Sequence, residues 1–180
     1  TNFTTSVGNV RSDFYGVNGD NLGGYKNSYD YTLYQNEFSN MGLNHERIWT
    51  NFRYMANEDG TFDTNYTDSD RIVVNWAKLN NYKIIWVMSY MPNWLANTTT
   101  GWCNISGTGG NWTCPPKNYT RWGQLVTDFL TNISCDTDTC EVEVWNEPDL
   151  REWWLNNLTG SNSAISEEYN KLYNATYLAV

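Results

Sequence analysis

The sequence predicts an α/β fold, a (β/α)8 barrel of which these residues supply about the first four β/α units. Strand-like and helix-like segments alternate in βαβαβαβα order, the pattern of a parallel sheet with right-handed crossovers. The long loops all follow strands, the asymmetry of a barrel whose site is built from the loops after its strands. Within the run Lys83-Ile84-Ile85-Trp86-Val87-Met88-Ser89, the residues from Ile84 to Met88 are continuously apolar, as a strand buried on both faces should be. A doubly wound open sheet is the alternative. It often carries a glycine-rich phosphate turn after its first strand, and Gly16-Val17-Asn18-Gly19 with Gly23-Gly24 matches that poorly.

The elements follow in order. Phe14-Tyr15-Gly16-Val17 is the first strand, and Asn18 to Tyr25 a Gly/Asn-rich loop. Tyr31 to Met41 reads as a helix with Leu33, Phe38 and Met41 inward, ended by Gly42. His45 to Thr50 is the second strand, followed by a long loop to Asp68. Ser69 is the expected N-cap of the next helix, in which Ile72, Val73, Trp76, Ala77 and Leu79 recur at helical spacing. Asn80-Asn81 closes it before the third strand. A Gly/Thr/Asn-rich loop leads to Pro115-Pro116, which opens a helix with Trp122, Leu125, Val126, Phe129 and Leu130 on one face. Cys135 to Cys140 is a turn, Glu141 to Trp145 the fourth strand, and Ser166 to Val180 the last helix.

The chain has 180 residues, whereas a (β/α)8 barrel takes about 250. Four units leave two unpaired sheet edges, and Leu178-Ala179-Val180 ends within an apolar helical pattern with no C-cap. The expectation is the N-terminal part of something longer, completed by the remaining C-terminal half of the barrel.

Composition removes several function classes. Hydrophobic residues at 40% and aromatics at 16% exclude a disordered chain. No apolar run approaches 18 residues, so no membrane span is expected. Eleven basic against 20 acidic residues give a net charge of −9. That balance leaves no basic footprint for nucleic acid and repels phosphate, while neutral ligands carry no such penalty. Thr1-Asn2-Phe3-Thr4 has neither the basic nor the apolar part of a signal peptide, so any such peptide is expected to precede this numbering.

The cysteines and sequons point to the compartment. Cys103, Cys114, Cys135 and Cys140 allow three connectivities. The simplest is Cys103–Cys114 with Cys135–Cys140; free thiols and a metal site are the alternatives. Sequons start at Asn2, Asn65, Asn97, Asn104, Asn111, Asn118, Asn132, Asn157 and Asn174. With 26 Asn, 20 Thr and 11 Ser, chance supplies about 4.5 such motifs, so they occur at about twice that rate. A secreted, extracellular glycoprotein is expected. The alternative is a Thr/Asn-rich surface with accidental sequons.

The chemistry converges on Trp145-Asn146-Glu147-Pro148-Asp149, at the C-terminal end of the fourth strand, where barrel enzymes project catalytic groups. Pro148 cannot donate to a ladder and stops the strand beside Glu147. A carboxyl among Trp145, Trp153 and Trp154 would have its pKa raised by desolvation, as a general acid needs near neutral pH. Asn146 offers a donor and an acceptor to a ligand hydroxyl. A strand-ending loop with an exposed Glu is the plainer reading of the same residues.

Glu143-Val144-Trp145-Asn146-Glu147-Pro148-Asp149 resembles the Asn-Glu-Pro acid/base signature of the clan A glycoside hydrolases, and more narrowly family 39, the β-xylosidase and α-L-iduronidase family. Ser89-Tyr90-Met91-Pro92 resembles the family's Ser-Phe-Met-Pro stretch after the third strand. Pro115-Pro116-Lys117 resembles its Pro-Pro-Lys helix opening, and Glu168 to Tyr173 the helix after the acid/base. The likeness runs from about Phe14 to Val180, which makes 1–180 the N-terminal half of a (β/α)8 glycoside hydrolase catalytic domain.

The resemblance implies a retaining glycosidase that acts on an oligo- or polysaccharide and needs no cofactor and no metal. It assigns Glu147 as general acid/base, Asn146 to the sugar 2-hydroxyl, and Arg47 to holding the nucleophile ionised. The nucleophile, a Glu after the seventh strand, lies outside these residues. A retaining site needs both carboxyls about 5–5.5 Å apart, so the 180 residues alone are expected not to hydrolyse glycosides. The family tends to have Arg-x-His on strand two, where this chain has Arg47-Ile48-Trp49. Trp49, Tyr90 and Trp94 are the candidates for stacking on sugar faces, Trp102 and Trp112 for an outer subsite, and His45 a structural residue. Glu143 is expected to pair with Arg47 inside the barrel, where an unpaired charge is expensive. A binding module or a structural glycoprotein on a truncated glycosidase fold is the alternative function.

Overall fold

The computed structural model describes residues 16–19, 36–37, 40–98, 111–149, 154 and 162–180. Four strands, β1 (Gly16–Gly19), β2 (His45–Trp49), β3 (Lys83–Met88) and β4 (Cys140–Val144), form one sheet in the order β1-β2-β3-β4. Every pairing is parallel. The helices are α1 (Phe52–Met55), α2 (Thr64–Asn80), α3 (Tyr119–Asn132) and α4 (Asn162–Tyr177), with a 3₁₀ turn at Asn111–Thr113.

Strand alternation separates the two faces of the sheet. Ile48, Ile84, Trp86, Met88 and Val144 are buried in one core with Val73, Val74 and Ala77 of α2 and Trp122, Leu125, Val126 and Phe129 of α3. Aromatic edges lock that layer: Phe129 meets the rings of Phe52, Phe62 and Trp86 at centroid distances of 5.4, 5.9 and 5.6 Å. On β2, His45, Arg47 and Trp49 are the half-buried alternates. In register, Arg47 lies beside Ile85 and Glu141, and Trp49 beside Val87 and Glu143.

The strands fall close to the sequence expectation, but β1 sits two residues later than Phe14 to Val17. The helix expected over 31–41 is described only at residues 36–37 and 40, which are helical. The loop expected between Thr50 and Asp68 holds α1 and the first turn of α2 instead. Asp63, not Ser69, caps α2: its Oδ1 accepts from the Asn65 backbone N–H at 2.8 Å. The earlier cap adds a turn and a half to the helix, and Val73, Trp76 and Ala77 face the core as expected. The inward set is Thr67, Asp70, Val73, Val74 and Ala77, while Leu79 is 87% exposed. Asn81 ends α2 in the left-handed conformation, a conformation asparagine tolerates well.

Helix α3 starts at Tyr119, where Asn118 Oδ1 accepts from the Arg121 N–H at 3.0 Å. Its apolar face is the expected one. Gly123 lets α3 and α4 approach closely, since a Cβ there would meet the Ala175 carbonyl oxygen at 3.0 Å. Trp122 Nε1 donates to Thr176 Oγ1 at 2.8 Å beside that contact. The last helix ends at Tyr177, not at the final residue.

Cys135 and Cys140 are joined by a disulfide, as expected. Cys114 is disulfide-bonded too, and Cys103 lies outside the described residues. No helix among the described residues is long and apolar enough to cross a membrane.

Candidate active site

Two strand ends build the candidate site. Arg47 on β2 and Glu143 on β4 project from the sheet face opposite the Ile48 core and meet in a bidentate ion pair. Arg47 Nε donates to Glu143 Oε2 at 2.6 Å and Nη2 to Glu143 Oε1 at 2.7 Å. The fork geometry of guanidinium and carboxylate makes this the strongest form of such a pair. Hydrogen bonding to Glu143 raises the Arg47 pKa, partial burial opposes the rise, and the charges of Glu143 and Glu147 add to it.

Arg47 also donates Nη2–H to Asn146 Oδ1 at 3.0 Å. A guanidinium has donors only, so the amide oxygen of Asn146 must face it. The amide NH₂ is thereby turned the other way, where it lies 3.3 Å from Glu147 Oε2. Glu143, Arg47, Asn146 and Glu147 thus form one connected line, in which the buried Asn146 aims a donor and Glu147 offers a carboxylate beside it.

The turn that carries these groups is strained. Trp145 has φ 65° and Glu147 φ 47°, and Tyr90 after β3 has φ 62°. Left-handed backbone costs a residue other than glycine about 1–2 kcal/mol, and such conformations gather at functional sites. The turn is held from below. Tyr169 on α4 donates its hydroxyl to the Val144 carbonyl at 3.0 Å, and the Trp145 N–H donates to the Met88 carbonyl at 3.0 Å.

Glu147 is exposed, and the tryptophans expected to desolvate it do not. Trp145 and Trp154 are fully buried and pack edge to face at 4.8 Å. Trp122 lies 6.2 Å from Trp145, and Tyr169 lies 6.4 Å from Trp154. They belong to the helix-facing core, because the turn sends Trp145 and Glu147 to opposite sides. Trp153 lies outside the described residues.

The aromatic candidates divide. Trp49 lies beneath the Arg47 guanidinium, 5.7 Å from the ring centroid, and meets Tyr90 at 6.4 Å. Tyr90 in turn meets Trp112 at 5.2 Å. These rings continue the line from Glu147. Trp94 is placed elsewhere: Nε1 donates to the Ala56 carbonyl at 2.9 Å, and Arg121 lies over its ring at 5.5 Å. Trp102 lies outside the described residues. His45 sits at the opposite end of β2, with Nδ1 2.8 Å from Asn44 Oδ1. Among the sequons, Asn65, Asn118, Asn132 and Asn174 are exposed and Asn97 and Asn111 half-buried; Asn2, Asn104 and Asn157 lie outside the described residues.

Sequence reasoning missed Tyr169 as a support of the turn. Its spacing from Ile165 and Leu172 along one helix face was the available signal. Among the described residues, no group of three or more His, Cys, Asp or Glu is arranged to hold a metal ion. A groove of about 640 Å³ between α3 and α4, walled by Gly123, Thr127 and Ala175, is remote from Glu147 and contains none of this chemistry.

No protein-family model matches the chain. It is 31% identical over 129 residues to a β-xylosidase of Caldicellulosiruptor saccharolyticus, a match covering 69% of this chain and 24% of the relative. It is 36% identical over 121 residues to a β-xylosidase of Geobacillus stearothermophilus, covering 64% and 22%. The chain therefore spans about a quarter of the length of the curated relatives it matches. Among solved structures it is similar to the GH39 enzyme from Xanthomonas axonopodis pv. citri. The TM-score is 0.60 at 17% identity, over 92% of this chain and 32% of that one. A monomeric β-xylosidase from Caulobacter crescentus gives 0.56 at 16%, over 91% and 33%. The open parallel sheet is accordingly part of a TIM-barrel glycosidase fold, and the sequence is most like family 39 glycoside hydrolases over their N-terminal region.

Proposed function

We propose that this chain, a family 39-like glycosidase sequence, supplies the first four β/α units and the acid/base half of a retaining glycoside hydrolase. Glu147 acts first as general acid toward the glycosidic oxygen and then as general base toward water. The Arg47–Asn146–Glu147 line carries the reading. A carboxylate at the C-terminal end of a barrel strand, with an amide donor fixed beside it, is what protonation of a leaving group and a grip on a neighbouring hydroxyl require. Arg47 and Glu143 fix the amide, and Arg47 keeps a positive charge where a second carboxylate must ionise.

That second carboxylate, the nucleophile, belongs to the other half of the barrel. These residues alone do not hydrolyse glycosides. The matched relatives are β-xylosidases, which supports a β-xyloside as the first substrate to try. A disulfide at Cys135–Cys140 and the exposed sequons support an oxidising, extracellular setting and a glycosylated surface.

The test is Glu147→Gln in the full-length protein. kcat/KM for xylobiose, whose leaving group is poor, is expected to fall at least about 100-fold, and kcat/KM for an activated aryl xyloside much less, since this ratio reports the bond-breaking step that needs the acid and not the later step that needs the base. Equal loss of kcat/KM on both substrates removes Glu147 from the acid role. No turnover of any glycoside by the wild type removes the enzyme reading and leaves a binding role.

A further inference from the structure

Helix α4 splits the two halves of an N-linked acceptor. The sequon Asn174-Ala175-Thr176 lies inside α4 rather than in a loop. The motif demands an asparagine and, two residues on, a hydroxyl, so a transferase must reach both side chains. Two residues along an α-helix turn the chain by about 200°, which sends the two side chains to opposite sides of α4. Burial agrees: Asn174 is exposed, and Thr176 is 1% exposed.

The Thr176 hydroxyl is also fully engaged. It accepts from Trp122 Nε1 at 2.8 Å and donates to the Leu172 carbonyl at 2.9 Å. It sits in the tight seam where a Cβ on Gly123 would meet the Ala175 carbonyl oxygen. An enzyme cannot reach it while α4 is docked on α3. Asn174, in contrast, stands in the wall of the open groove of about 640 Å³ between the two helices, with Gln124, Thr127 and Lys171. The groove leaves room for a sugar on Nδ2, and these neighbours offer it hydrogen-bond partners. Asn132-Ile133-Ser134 is the contrasting case. It closes α3, and both Asn132 and Ser134 are exposed.

We infer that Asn174 is an N-glycosylation site that accepts its glycan only before α4 closes on α3. The inference rests on the extracellular, glycosylated reading above. Nδ2 of Asn174 attacks the anomeric carbon of the first sugar in a lipid-linked oligosaccharyl pyrophosphate. The nitrogen–carbon bond forms and the bond from that carbon to the pyrophosphate oxygen breaks. The lipid pyrophosphate leaves, and one amide proton passes to a base of the transferase. Docking of α4 then buries Thr176 and withdraws the acceptor, so a glycan at Asn174 records that transfer came before folding.

Two measurements on the full-length protein test this. Protein from its natural source is treated with a peptide N-glycosidase in heavy-oxygen water, which turns each glycosylated asparagine into a labelled aspartate, and its peptides are weighed. Label at Asn174 is expected. Label at Asn132 but not at Asn174 overturns the inference alone. Label at no sequon overturns it together with the glycosylated reading. For the order of events, unglycosylated protein made in bacterial cells, folded as judged by a cooperative urea transition, is offered to an oligosaccharyltransferase with its lipid-linked donor. Asn132 is expected to be modified in the folded protein. Asn174 is expected to be modified at least about tenfold less than in the same protein freshly diluted from urea, since it must wait for α4 to open. Equal modification of Asn174 in the two states overturns the order.

Discussion

Asp70 is the one acidic residue on the inward face of α2. It is 5% exposed, and burial pushes its pKa from 3.8 up to about 7, against a small opposing pull from Arg71. The native state therefore holds a proton that the unfolded chain releases near pH 4. Between those values the folded form binds more protons, so this residue makes stability fall as pH rises. Its contribution is undiminished below pH 4 and the full penalty is reached above about pH 7. A rise from 3.8 to about 7, at about 1.36 kcal/mol per tenfold change in proton affinity, puts the penalty on the order of 4 kcal/mol. Asp70→Asn keeps the shape and cannot ionise. The fixed cost of the amide is the same at every pH, so the informative quantity is the change in the stability difference between variant and wild type. Urea denaturation of the full-length protein from pH 4 to pH 8.5 measures it. Asp70→Asn should gain on the wild type by several kcal/mol between pH 4 and pH 7 and stay level above. A difference that varies by less than about 1 kcal/mol over that range would refute a buried, protonated Asp70.

Three further outcomes follow from contacts described above. Glu143→Gln removes the charge that fixes Arg47. The pair is partly exposed, at 23% and 38% for the two side chains, so the stability loss should be only about 1 kcal/mol. Glycosidase kcat should drop at least about tenfold as Asn146 loses its orientation; calorimetry and steady-state kinetics on one preparation separate the two. Tyr169→Phe deletes the hydroxyl bond to the Val144 carbonyl, so kcat should fall a few-fold with little change in KM and about 1 kcal/mol lost in urea denaturation. Gly123→Ala drives a methyl toward the Ala175 carbonyl and should cost about 1–3 kcal/mol with kinetics unchanged, since the α3–α4 seam is remote from Glu147.

The strands and the acid/base turn were legible because the sequence states them locally. The apolar run of β3 and the Pro148 stop after Glu147 depend little on distant contacts, and the alternation of Glu141 to Val144 put Glu141 and Glu143 on one face, while the pairing of Glu143 with Arg47 came from the family resemblance. Helix α2 was read only in part: Val73, Trp76 and Ala77 face the core as expected, but hydrophobicity and burial part company at Ile72 and Leu79. Ile72 and Leu79 suggested one phase, yet the helix buries Thr67 and Asp70 and leaves Leu79 in solvent. Packing against the sheet, not the hydrophobicity of each residue, decides which of them face inward. The tryptophans beside Glu147 were misassigned for a related reason. Adjacency in sequence implied adjacency in space, and the positive φ at Trp145 and at Glu147 turns the two side chains apart.

The strand order of the sheet is also the order of synthesis. Each strand pairs with the one made immediately before it, so a ribosome releasing this chain never has to wait for a distant partner before the next ladder closes. Folding can advance in step with elongation, one β/α unit at a time. The Arg47–Glu143 clasp spans two intervening crossovers and cannot form until β4 has emerged. The candidate catalytic turn is therefore locked by the last of the four strands to leave the ribosome, on a platform that the first three have already laid down.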